Sequence, residues 1–200
     1  MITICCPTPT ALASVITGTT CPVNFGQIQK LIFWRHGNYI GSVATAEIEA
    51  TWTALLAATG DTKALVSPFV SAGVLAPGEA RQFGSGNEVI DGIPIIIGSE
   101  PSTFEGKFMQ YAPSVGAAMK DLMCEDLDVI FVNENGQFGY RLSGNDFYGF
   151  HVKGLFVGDF SIPGYAEPSS NAIRFMIPSG EMDGFTISNS TTFALNMVNS

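Results

Sequence analysis

Few side chains in this sequence have types and spacings that could do chemistry. They are two histidines, His36 and His151, four cysteines at 5, 6, 21 and 124, and the acidic cluster Glu125, Asp126 and Asp128. The cluster could hold a divalent cation or supply an acid–base pair. Its spacing lacks the regular ligand repeat of a cation loop, so it reads as a solvated loop joining a helix to a strand. His36 follows a strand beside Arg35, and His151 lies inside one. Nothing in sequence pairs either with a nucleophile, and both read as structural histidines.

The cysteines offer no zinc site. No C-x-x-C occurs, and neither histidine lies at zinc-finger spacing from a cysteine. Adjacent Cys5 and Cys6 rarely bond each other, because that bridge is strained. A bridge from either to Cys21 needs an oxidising surrounding; otherwise these are buried or arm-located thiols. The P-loop, H-E-x-x-H and G-x-S-x-G signatures are absent. Gly84-Ser-Gly-Asn87 is followed by neither a lysine nor a helix and reads as a loop. Asn189-Ser-Thr191 is a formal glycosylation acceptor, relevant only on secretion. The expectation is therefore no catalytic residue, no cofactor, no metal and no enzyme.

Composition points elsewhere. The 200 residues suit one domain, or one domain with an arm. At 46% hydrophobic the chain is not disordered. Only 14% of residues are charged, against roughly 25% in ordinary soluble domains. So sparse a charged surface implies buried contact between subunits. Nine basic residues against 18 acidic give a net charge of −9, the wrong sign for gripping phosphates. The 15 phenylalanines are not interleaved with basic residues, so they read as core and interface packing rather than a stacking platform for single strands. An acidic wall can instead repel phosphates and keep DNA sliding. That role needs a ring, because one small domain cannot enclose a duplex.

The elements follow from periodicity and punctuation. Residues 1–27 are uncharged and carry Pro7, Pro9 and Pro22. They read as an extended N-terminal arm, followed by a single β-rich domain over 28–200. The start has no basic residue before Lys30, so no signal peptide is expected, and no apolar run reaches a membrane span. Strands are expected at 30–35, 64–70, 93–98, 104–111, 128–132, 137–142, 148–157, 172–177, 185–187 and 192–198. Asn135-Gly136 marks a hairpin turn, and Gly149 and Gly154 mark bulges. Pro94 places its strand at an edge or a strand start. Residues 72–92 read as an extended, mobile loop. One helix is expected over 42–60, with Ile48, Trp52, Leu55 and Leu56 on one face, capped by Ser42 or Thr45 and ended by Gly60. A second spans 114–124, capped by Ser114, with Val115, Ala118, Met119, Leu122 and Met123 buried. Many strands with two helices exclude a doubly wound sheet. The expected class is β-rich α+β: a mostly antiparallel sandwich or open barrel with two packed helices.

Cys21-Pro-Val-Asn-Phe-Gly-Gln-Ile-Gln-Lys30 resembles the N-terminal region of virion structural proteins of crAss-like phages infecting Bacteroidales. Phe104 to Arg141 resembles the strand–helix–hairpin core of phage tail-tube and ring proteins, beginning with Phe104-Glu-Gly-Lys-Phe-Met109. The resemblance implies a tail-tube-like fold and a structural role, with no catalytic residues. Copies of the chain would form a ring in the collar or tail barrel around the DNA channel, touching neighbouring ring, portal or tail proteins. DNA would pass without sequence-specific binding, and no membrane would be involved. The protein would be made in the host bacterial cytoplasm and reside in the virion, at the phage neck or tail. The arm and the 72–92 loop would clasp adjacent subunits. The alternatives are a capsid-decorating or head-fibre protein, or a carbohydrate- or protein-binding β domain.

Overall fold

A computed structural model describes residues 25–38, 40–84, 93–109, 112–162 and 168–188. In chain order the first elements are β1 (Ile28–Arg35), β2 (Gly41–Ser42), α1 (Val43–Ala46), α2 (Glu49–Ala57), β3 (Leu65–Val66) and β4 (Phe69–Ala76). Then come β5 (Ala80–Phe83), β6 (Ile95–Ser99), β7 (Ser102–Met109) and α3 (Pro113–Asp121), which runs into a 3-10 turn at Leu122–Cys124. The remaining strands are β8 (Leu127–Asn133), β9 (Phe138–Ser143), β10 (Asp146–Tyr148), β11 (Phe150–Val157), β12 (Ser170–Ile177) and β13 (Phe185–Ser188).

Six of these strands close into an antiparallel barrel in the order β8-β11-β12-β7-β4-β1, with β1 pairing back onto β8. The β-rich antiparallel expectation holds, and the sheet goes one step beyond an open barrel. The β1–β8 seam runs in unbroken register from Lys30↔Val132 to Arg35↔Leu127. Closure satisfies strand edges that would otherwise be exposed. β8 also continues into a second layer, because β9 takes over its edge beyond β11. β9 then carries β10 on one side and β13 on the other, and β10 carries β2.

Strand alternation splits β1 and β8 between two cores. Leu31, Phe33, Val129 and Phe131 point into the barrel with Phe104, Phe108, Phe150 and Phe175. Ile32, Trp34, Ile130 and Val132 point outward against Trp52, Phe138, Tyr140 and Phe147. That is why both strands read as continuous apolar runs: each face of each strand is buried. The aromatic filling makes the barrel interior a packed core rather than an open lumen.

Local chemistry fixes the connections. Asn133 Oδ1 accepts from the amides of Asn135 and Gln137, both at 2.9 Å, and Gly136 adopts φ +76°. The expected Asn-Gly turn is thus present. Gly154 has φ +60° beside the register shift between Lys153 and Phe156, where a bulge was expected. At the kink between β3 and β4, Ser67 Oγ accepts from Leu31 N at 2.9 Å and replaces a ladder bond.

Three local expectations need correction. The helix over 42–60 is two short helices broken at Glu47–Ile48, and Ile48 is 52% exposed. Val43, Thr45, Ile48 and Thr51 are β-branched, which weakens helix continuity. Ser42 precedes α1 without capping it through its side chain, and α2 ends at Ala57, before Gly60. In α3, Pro113 occupies the first turn and Ala112 the cap position, not Ser114. Of its expected stripe, Met119 and Leu122 are buried while Val115 and Met123 are exposed. Residues 72–92 are not one loop, since β4 extends to Ala76 and β5 follows at Ala80.

The strand expected at 192–198 and the acceptor at 189–191 lie outside the described residues, as do residues 1–24 of the expected arm. Phe25 packs edge-on against Phe185 at 5.4 Å, and Gln27 N donates to Glu134 Oε2 at 2.6 Å.

Candidate functional site: a histidine–aspartate cluster and an uncovered hairpin

Residues 126 and 128 flank Leu127, whose side chain enters the barrel core. Alternation therefore puts both aspartates on the outer face of β8 and its lead-in. His151 lies between Phe150 and Val152, two barrel-core residues, so it shares that face. His36 follows β1, and its amide donates to Asp126 O at 2.9 Å, continuing the seam one step past Arg35. Three adjacent chain segments thus bring the four side chains together at one end of the barrel.

The contacts cross. His36 Nδ1 lies 2.6 Å from Asp128 Oδ1, and His151 Nε2 lies 2.8 Å from Asp126 Oδ1. A carboxylate only accepts, so each imidazole nitrogen donates. The two rings stack at 3.7 Å between centroids and 6° between planes. Lys153 Nζ also reaches Asp126, at 3.3 Å. The Asp128 side chain is 3% exposed. Burial pushes its carboxyl above the usual carboxylate range, against the opposing hydrogen bond from His36. Asp126 is held below that range, chiefly by the His151 hydrogen bond and then by Lys153.

Supporting residues fix the geometry. A Cβ on Gly149 would lie 2.8 Å from Trp34 Cζ2 and 2.9 Å from Asp128 Cβ. Only glycine lets β11 start so close to β8. The His151 amide donates to Glu181 Oε2 at 2.8 Å. Glu125 is held instead by Arg35 at 3.1 Å, and the same guanidinium reaches Asp61 at 2.5 Å.

The reading of 125–128 as a solvated loop therefore fails at Asp128, a buried strand residue. Sequence reasoning did not join the histidines to it. The available signal was the i, i+2 spacing of the aspartates at the start of a strand, which puts both on one face.

The second feature is the hairpin of β5 and β6. Among the described residues these strands pair only with each other, and every residue of both is exposed. Phe83, Ile95, Ile96 and Ile97 are between 52% and 60% exposed, and neighbouring Ile93 is 69% exposed. The hairpin's base is fixed where Glu100 N donates to Glu79 O at 2.8 Å. A Cβ on Gly78 would lie 1.8 Å from Glu100 O. On the barrel wall, Ala72, Gly106, Phe156 and Ala172, together with the charged Glu105, Lys107 and Arg174, line an open concavity of about 450 Å³. Val74 and Phe156 are 61% and 56% exposed. Among the described residues, no helix is long and apolar enough to cross a membrane.

No protein-family model matches the chain, and no curated protein matches it. Solved structures are similar in part, two of them as follows. One is a chain in the tail of an empty GTA particle with C6 symmetry, at 8% identity and TM-score 0.37, covering 66% of this chain and 89% of that one. The other is a chain in the six-fold symmetrised baseplate of the anti-feeding prophage, at 9% identity and TM-score 0.36, covering 86% and 99%.

Proposed function

We propose that this chain is a structural, non-catalytic subunit of a phage virion that assembles with copies of itself into a ring at the neck or tail. The observation that carries the assembly reading is the β5–β6 hairpin. An isolated two-stranded hairpin is marginal in water, and this one presents Phe83, Ile95, Ile96 and Ile97 to solvent. Such a feature gains stability only when another surface covers it. The receiving surface is the concavity around Phe156 on the barrel wall of a second copy, where Ala72 and Phe156 offer apolar contact and Glu105, Lys107 and Arg174 complete the lining. Hairpin and concavity are different surfaces, so the contact is head-to-tail, and a head-to-tail contact closes into a ring when its rotation permits.

The low charge content supports extensive burial between subunits. The net charge of −9 suits a channel that DNA traverses without adhering. The placement in a virion rests on the sequence resemblance of 21–30 and 104–141 to phage structural proteins. The subunit passes DNA without reading its sequence and contacts neighbouring ring, portal or tail proteins.

The test is Ile95→Asp with Ile97→Asp, followed by size-exclusion chromatography with light scattering. The wild type is expected as a closed multiple of 21.2 kDa, and the variant as a folded single subunit. A wild type that runs as a single subunit at every concentration overturns the reading. So does a variant that assembles as the wild type does.

A further inference from the structure

We propose that His36, Asp126 and His151 bind one divalent transition-metal ion of the zinc class, a site independent of the ring reading. Each residue offers one ligand atom, and these atoms lie within 4.8 Å of one another. Two imidazoles and a carboxylate form a donor set suited to Zn²⁺, Co²⁺ or Ni²⁺. Mg²⁺ and Ca²⁺ prefer oxygen donors throughout.

The orientation of His36 strengthens the assignment. Its Nδ1 is engaged by the buried carboxylate of Asp128 at 2.6 Å. That fixes the tautomer and leaves Nε2 with its lone pair available, the arrangement in which a carboxylate supports a metal-binding histidine. His151 Nε2 and Asp126 Oδ1 are 2.8 Å apart. Ligands about 2.0–2.2 Å from a common ion at nearly a right angle have that separation. Binding replaces the His151–Asp126 hydrogen bond: the hydrogen leaves Nε2, so that His151 ligates as the neutral tautomer with its hydrogen on Nδ1, and an imidazolium gives up one proton to solvent to reach that form. Because the two rings are stacked nearly parallel, their in-plane lone pairs do not converge, and at least one ring must swing out of the stack for both nitrogens to face one ion. Lys153, 3.3 Å from Asp126, is the competing cation already in place.

The three ligands belong to β11 and to the two strands of the β1–β8 seam, His36 and Asp126 facing each other at the same end of it. A bound ion ties together the strands that close the barrel, and it stabilises the folded state by mass action.

The test uses the untagged full-length chain titrated with Co²⁺, then with Zn²⁺ as competitor. Expected is one equivalent, visible ligand-field absorption with no thiolate charge-transfer band, and displacement by Zn²⁺ but not by millimolar Mg²⁺. Asp126→Asn, at a side chain 61% exposed, is expected to fold normally and to lose at least about 10-fold in affinity. Asp128→Asn should lose about 10- to 100-fold, the usual effect of removing a histidine's supporting carboxylate. Lys153→Gln should bind more tightly than wild type. Three outcomes overturn the proposal: no stoichiometric binding by wild type, a thiolate band, or equal affinity in wild type and Asp126→Asn.

Discussion

Trp52→Ala tests whether the outer layer is a true second core. Trp52 is fully buried, with its ring 6.4 Å from Phe138 and 6.2 Å from Phe147, both edge-on. Its indole N–H donates to Ala46 O at 2.7 Å, holding α1 against α2. A buried indole removes roughly 200 Å² from water, about 5 kcal/mol at 25 cal/mol per Å². Trp-to-Ala changes in cores cost about 3–5 kcal/mol. Trp52→Phe keeps much of the packing but leaves the Ala46 carbonyl without the indole, for about 1–3 kcal/mol. Guanidinium unfolding followed by far-UV circular dichroism gives both values without relying on tryptophan fluorescence. An alanine variant within about 1 kcal/mol of wild type, or equal effects for alanine and phenylalanine, would refute the packing and hydrogen-bond argument.

Gly149→Ala should destabilise by about 1–3 kcal/mol, because its methyl collides with Trp34 and Asp128; chemical denaturation measures it, and a neutral result contradicts the close approach. Lys30 is 5% exposed, and burial lowers its pKa from 10.5. The unfolded chain therefore holds that proton more tightly, and stability rises with pH between the lowered value and 10.5. Lys30→Met removes this dependence, so its stability relative to wild type should fall as pH rises from 7 toward 10.5; a constant difference contradicts the burial penalty. Deleting residues 1–24 should leave the domain folded and weaken assembly, read by circular dichroism and light scattering; loss of folded protein would make the arm part of the core.

The sequence was most legible where one strand's surroundings decide its composition. β1 and β8 announce burial on both faces through unbroken apolar runs. The Asn-Gly turn and the bulge at Gly154 are local backbone demands with local residue signatures. The helix over 42–60 misled because its apolar spacing was right at Trp52, while β-branched residues around Ile48 broke the helix. The 72–92 stretch looked like a loop because its glycines and Pro77 hid the end of β4, whose Leu75 packs against the barrel core, and the exposed strand β5, which has no core to face. The histidine–aspartate cluster was the least legible. His36 and His151 lie more than a hundred residues apart, and only the β1–β8–β11 register brings them within stacking distance. Barrel closure is likewise a property of long-range pairing, to which no short segment testifies.

The most direct test of the central claim is a negative-stain image of concentrated, untagged protein. The account predicts rings of uniform diameter with a central hole. A field of separate 21.2 kDa particles, or of small dimers and trimers without a hole, would contradict it.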